Sequence, residues 1–198
     1  MKNLIRTVLL SCVLATPAMA QKIPLSELSA YLNTLTSDKA RFTQTNDDGS
    51  RSTGTVYIKR PGRARFEYDP PNKGLVIAGG SQVAIFDAKS NLPPEQYPLR
   101  RTPLSLVLAR NVDLAKSASV VGHGRDGKTT RLKMQDPKHP EYGNIELLFS
   151  DQPVRLRGWI INNEAGGQVT VELEELQRVD LGSNMFSITF EVSNRGLD

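Results

Sequence analysis

Residues 42–71 read FTQTNDDGSRSTGTVYIKRPGRARFEYDPP, and this stretch decides the fold. Phe42 and Gln44 belong to a run that stops at the turn cluster Asn46-Asp47-Asp48-Gly49-Ser50. Gly54 to Lys59 then alternates apolar and polar residues up to Arg60-Pro61-Gly62, and Arg63 to Tyr68 alternates again as far as Asp69-Pro70-Pro71. Alternation with period two, bounded by Gly, Pro, Asn and Asp, marks antiparallel strands with one apolar and one solvated face. Val56 and Ile58 share the parity of Arg60, so all three are expected on one side of the sheet. The stretch offers no nucleophile, metal cluster or phosphate loop. The question it raises is what the apolar face is for.

Upstream, Pro24 to Leu35 is the best helix. Leu25, Leu28, Leu32 and Leu35 form one apolar stripe on a 3.6-residue period, opposite Ser, Glu, Asn and Thr. Downstream, Gly79-Gly80 reads as a hairpin turn, and Ser90 to Pro98, with three prolines, as an irregular edge excursion. Thr102 to Arg110 reads as a second helix, with Thr102 as N-cap and Pro103 at the first helical position. Asp113 to Lys116 suggests one more helical turn. From Ser119 the chain returns to strands, ending with Phe186 to Phe190, where apolar residues alternate. The expectation is ten or eleven short strands in an antiparallel meander, mostly β, with two helical segments to cover one face.

Residues 1–20 have the layout of a secretory signal peptide: Lys2 and Arg6, an apolar run from Val8 to Ala15, then small residues at Ala18-Met19-Ala20. Residues 21–198 are expected to form a single exported domain. A rival reading takes Leu9-Leu10-Ser11-Cys12 as a lipoprotein signal, but the apolar run continues past Cys12. Cys12 is the chain's one cysteine, so cleavage after Ala20 leaves no disulfide to stabilise the remainder. Without Lys2 and Arg6 there are 23 basic and 21 acidic residues, and the formal charge falls from +4 to +2. That small excess supports no nucleic-acid partner.

Catalytic chemistry is sparse. His123, in a Gly-His-Gly segment that reads as a turn, and His139, between Lys138 and Pro140, lack metal-ligand spacing and read as solvated loop residues. Neither a Gly-x-Ser-x-Gly elbow nor a P-loop occurs. Trp159 reads as core. Neither an enzyme nor a bound cofactor or metal is expected.

The ordered set of motifs resembles the periplasmic outer-membrane lipoprotein carrier (LolA) family. The pieces are Phe42-x-Gln44, Gly54 to Pro61 with its Ile-Lys-Arg-Pro ending, Arg65 to Pro70, Gly80 to Asp87, and the Thr102-Pro103-Leu104 helix. The leading amphipathic helix and the Asn-Glu-Ala-Gly-Gly turn at 163–167 match in order too. The resemblance implies an unclosed antiparallel β-barrel, or curved sheet, with a helical lid on its concave face. It implies a monomeric periplasmic carrier that holds the acyl chains of outer-membrane lipoproteins. Cargo would come from an inner-membrane ABC transporter and go to the outer membrane or an acceptor lipoprotein there. The implied wall residues are Phe42, Val56, Ile58, Phe66 and Tyr68, and the implied lid residues are Leu28, Leu32, Leu104 and Leu108. Arg60 would latch the lid; read without the resemblance, it is a strand-end arginine snorkelling to solvent. Ala64, Phe66 and Ala84 stand where the family favours larger side chains, which suggests a wider cavity or a different rim. A sensor of lipids or lipoproteins, a carrier of another amphiphile such as a glycolipid, and a passive module with an ordinary core all remain open.

Overall fold

The computed structural model describes residues 21–163 and 165–197. The proposed signal peptide and Cys12 lie outside the described residues. Helix α1 (Leu25–Thr34) precedes six strands: β1 (Ser37–Asn46), β2 (Arg51–Lys59), β3 (Arg63–Tyr68), β4 (Leu75–Gly79), β5 (Gln82–Phe86) and β6 (Glu95–Pro98). A crossover follows, containing a 3-10 turn (Leu99–Arg101) and the one-turn helix α2 (Leu104–Val107). Then come β7 (Val120–Asp126), β8 (Thr129–Gln135), β9 (Asn144–Ser150), β10 (Arg155–Asn162), β11 (Gln168–Leu173) and the two-residue β12 (Gln177–Arg178), and finally helix α3 (Ile188–Asn194).

All twelve strands form one antiparallel sheet in the order β6-β5-β4-β3-β2-β1-β11-β10-β9-β8-β7, with β12 continuing beside β1 past the end of β11. Two meanders are thus joined where β1 pairs with β11, Phe42 opposite Leu173. The sheet is unclosed. Its two edges, β6 and β7, are consecutive in sequence, so the crossover between them must travel from one edge to the other. It does so over the concave face. Leu99, Val107, Leu108, Val112 and Leu114 from the crossover are buried in one cluster with Leu28, Leu32 and Leu35 of α1 and the inward residues of the sheet.

The strand periodicity works as expected. In β2, Gly54, Val56 and Ile58 are buried and their neighbours are not; in β9, Ile145, Leu147 and Phe149 are fully buried between polar or half-buried residues. One irregularity matters for the concave wall. A bulge between Leu156 and Gly158 resets the parity of β10. Gly158 has φ +153°, and a Cβ there would lie 2.0 Å from the Val171 carbonyl oxygen, so only glycine fits. The reset turns Trp159 inward, where its ring meets Phe66 edge-on at 6.1 Å. Phe66 lies on β3, with β2, β1 and β11 between it and β10. Contact across that span measures how strongly the sheet curls.

Several expectations change. The strand expected at Phe186 to Phe190 is instead a 3-10 turn (Ser183–Phe186) followed by α3, with Ser187 accepting a hydrogen bond from the Phe190 amide. Ile188 and Val192, one helical turn apart, pack on the convex face of the sheet against Leu75, Ile77, Ala84 and Phe86. Burying that stripe outweighs the local alternation. Ala84 therefore makes room for α3 and does not widen the concave side. His123 lies within β7, half-buried, with its Nε2 donating to the Ile23 carbonyl at 2.9 Å, so it is neither in a turn nor a solvated residue. Burial holds its pKa below the ordinary histidine value. Thr102 does not cap α2; its hydroxyl donates to the Leu99 carbonyl, and Asp113 to Lys116 forms a turn, not a helix.

Candidate functional site

The strands from the opening stretch place Phe42, Val56, Ile58, Phe66 and Tyr68 on the concave face. Phe42 anchors an aromatic group, meeting Phe66 at 5.7 Å and Tyr68 at 5.2 Å, both edge-on. The Tyr68 hydroxyl donates to Gln44 Oε1 at 2.6 Å, and burial pushes its pKa up to about 12, so it stays neutral. Leu28, Leu32 and Leu108 press on this wall and are essentially inaccessible, at 0%, 1% and 2% exposure. Leu104 and Tyr68 are half-buried at its margin. All nine proposed lipid-facing residues therefore meet in one cluster, and the lid fills the concave face.

The wall is larger than the opening stretch foretold. Leu132, Met134, Ile145, Leu147, Phe149, Trp159 and Val171, from β8 to β11, complete it on the other side. Their alternation was readable strand by strand. Which face they shared with Phe42 depended on the β1–β11 pairing, a long-range contact with no local signature.

Arg60 follows β2, where its chain turns toward the lid. Its Nε donates to the Ala109 carbonyl at 2.9 Å, Nη2 donates to the same oxygen, and Nη1 donates to the Leu32 carbonyl. Longer contacts of 3.5 Å reach Asn33 Oδ1 and the Arg110 carbonyl. Leu32 lies in the last turn of α1, and Ala109 just past α2. One guanidinium thus bridges a carbonyl in the last turn of α1, which also accepts from the Leu35 amide, and a carbonyl just past α2; at the α1 end the helix dipole favours a cation. Burial lowers the Arg60 pKa, though an arginine remains charged, and every partner is neutral. The backbone adds two ties nearby: Arg60 N donates to the Thr36 carbonyl at 2.9 Å and Gly62 N to the Leu108 carbonyl at 2.8 Å.

Two residues on the polar side of α1 carry contacts that periodicity did not foretell. Asn33 donates from Nδ2 to the Val112 carbonyl at 2.9 Å and accepts at Oδ1 from the Val112 amide at 3.0 Å. Ser29, one turn earlier, accepts from the Leu114 amide at 3.0 Å and donates to the Leu25 carbonyl at 2.7 Å. Their i, i+4 spacing was visible, but nothing local said that a distant segment would lie beside them.

A deeply curved open sheet whose apolar concave face is covered by two helical pieces, with one arginine reaching backbone carbonyls of both, defines a class: unclosed antiparallel β-folds with a helical cover on the concave side. The comparisons place the chain within that class. The model of the outer membrane lipoprotein carrier protein LolA matches residues 33–189, and the chain belongs to this family. An outer-membrane lipoprotein carrier protein from Azotobacter vinelandii is 33% identical over 159 residues, covering 75% of this chain and 77% of the relative. Another from Chromohalobacter salexigens is 25% identical over 196 residues, covering 92% and 90%. A third, from Coxiella burnetii, is 26% identical over 189 residues, covering 90% and 87%. Among the described residues, no helix is long and apolar enough to cross a membrane.

Proposed function

We propose that this protein is a periplasmic carrier of outer-membrane lipoproteins, holding their acyl chains against the concave face once the lid moves away. The carrying observation is the lid itself. Leu28, Leu32 and Leu108 fill the face, yet the charged group at their edge touches only backbone carbonyls and one carboxamide. An apolar core held for stability alone gains little from a desolvated arginine. A cover that must come off gains a contact that breaks without stranding a buried counter-charge. The cargo would be taken from an inner-membrane ABC transporter and passed to the outer membrane, or to an acceptor lipoprotein there, by a carrier acting as a monomer.

Energetics favour a cover that competes with cargo. Each buried methylene is worth roughly 0.8 kcal/mol, so three acyl chains represent on the order of 30 kcal/mol of transfer from water. Non-covalent affinity saturates near roughly −20 kcal/mol, and a carrier that tight would not let go. Cargo must displace the lid leucines, each worth about 1.5–3 kcal/mol when buried, and break the Arg60 contacts. Lid closure then drives release.

A solvatochromic acyl dye tests this reading. It is expected to bind and to be displaced by a triacylated lipopeptide but not by the same peptide without acyl chains. Arg60→Leu is expected to load more tightly and to release to acceptor vesicles at least about tenfold more slowly, the equivalent of about 1.4 kcal/mol. Failure of the dye to bind either variant would remove the carrier reading.

A further inference from the structure

Arg60 works only if two carbonyls from segments far apart in sequence lie within reach of one guanidinium. Leu32 belongs to α1 and Ala109 to the crossover, and neither segment is paired with the other by backbone hydrogen bonds in a sheet or helix. Their spacing must be set by side chains. We infer that Asn33 is the positioning residue of the latch: its carboxamide fastens α1 to the crossover at Val112, so that the two pieces form one lid with its acceptors in register for Arg60. This rests on the lid reading above.

The geometry is specific. Asn33 follows Leu32 directly, and its side chain reproduces both halves of a backbone pairing, giving a hydrogen and taking one from the same residue, Val112. Such a two-point contact fixes orientation as well as distance. Ser29 adds a tie at Leu114, two residues further along the crossover and one turn back along the helix, so the contact runs as a line and not as a pivot. Asn33 Oδ1 also lies 3.5 Å from Arg60 Nη2, which brings clasp and latch to one place. The ties between sheet and lid at this end are the Arg60 guanidinium, the Gly62-to-Leu108 bond, the Arg60 amide on the Thr36 carbonyl, and Arg178 of β12, which donates to the Thr34 carbonyl and the Thr36 hydroxyl. Opening therefore parts the lid from the sheet, while α1 and residues 109–114 stay together.

Residue-resolved hydrogen exchange of the full exported protein tests this without any cargo, so its result stands apart from whether the chain binds acyl groups. Asn33 lies at the exposed edge of α1 and alanine suits a helix, so Asn33→Ala leaves the core intact. In that variant the Val112 amide is expected to lose protection. The Gly62 amide, in the turn between β2 and β3, is also expected to exchange about tenfold faster because the latch has lost its register. Ser29→Ala, which removes a bond from the same helix, is expected to expose Leu114 and leave Gly62 within about twofold. Arg60→Leu is expected to free Gly62 while Val112 and Leu114 stay within about threefold of the parent, and adding Asn33→Ala to it is expected to do nothing more at Gly62. Acceleration confined to Val112 in Asn33→Ala, or equal loss at Gly62, Val112 and Leu114 in Arg60→Leu, would overturn the inference.

Discussion

Two charged residues on the concave side show how opposite environments do opposite work. Arg60 is desolvated but forked onto carbonyls at two helix ends, so its burial is compensated. Asp38 is not. It is buried on β1, its Oδ2 has no hydrogen-bond partner, and Arg178 stands 3.6 Å from Oδ1. Burial raises its pKa despite Arg178 and the Thr36 and Ser37 amides. A carboxyl whose folded pKa is raised contributes stability fully present below the unfolded value, about 3.9, and lost as pH rises through the folded value. At neutral pH the ionised Asp38 is thus a cost. Asp38→Asn keeps the shape and the acceptor, and is expected to stabilise the chain by about 1 kcal/mol at pH 7 and by less in mild acid, as read by urea denaturation. Destabilisation at pH 7 would show that Asp38 has a compensating partner.

At the scale of elements, the strands were legible and the pieces laid on them were less so. β2, β3 and β9 carry their alternation openly, because each has one buried and one solvated face. The role of α1 was visible in its leucine stripe, whereas the clasp at Ser29 and Asn33 required knowing where residue 112 would lie. α3 was misread because Phe186, Ile188 and Phe190 alternate, while Ile188 and Val192 make an equally good helical stripe. What decided it was an apolar patch on the convex side, Leu75, Ile77, Ala84 and Phe86, that needed covering. The helix is fastened by Glu191, which accepts from Arg65 at 3.0 Å and from Arg195 at 2.7 Å, while Arg195 lies over the Phe86 ring at 5.2 Å. Burial pushes the Glu191 carboxyl up, but the two arginines outweigh it and hold its pKa below the ordinary glutamate value. A folded pKa lowered in this way contributes stability present above the unfolded value, about 4.3, and lost as pH falls through the folded one. Acid titration followed by exchange of the α3 amides is expected to show this helix loosening in that window, and Glu191→Gln to loosen it already at neutral pH. An α3 equally protected at both ends of the titration would mean that apolar contacts alone hold it.

For the molecule as a whole, topology makes the lid. Two meanders meet at β1 and β11, which leaves β6 and β7 as open edges on opposite sides, and the connection between those edges crosses the concave face. The family resemblance carried by the ordered motifs implied an unclosed sheet with a helical lid, but the β1–β11 pairing that joins the two meanders has no local signature and was not readable. The depth of the curl was not readable, because it depends on the bulge at Leu156 and Gly158 and on the meeting of Phe66 with Trp159 across the sheet. The result is a closed state in which the chain's own leucines occupy the place proposed for acyl chains.

Mass spectrometry of what co-purifies with the Arg60→Leu protein from a periplasmic extract bears most directly on that proposal. Triacylated lipoproteins are expected in amounts comparable to the carrier, and in much smaller amounts with the parent protein, whose lid closes. Recovery of no acylated species with either protein, or of phospholipid or glycolipid in place of lipoprotein, would contradict it.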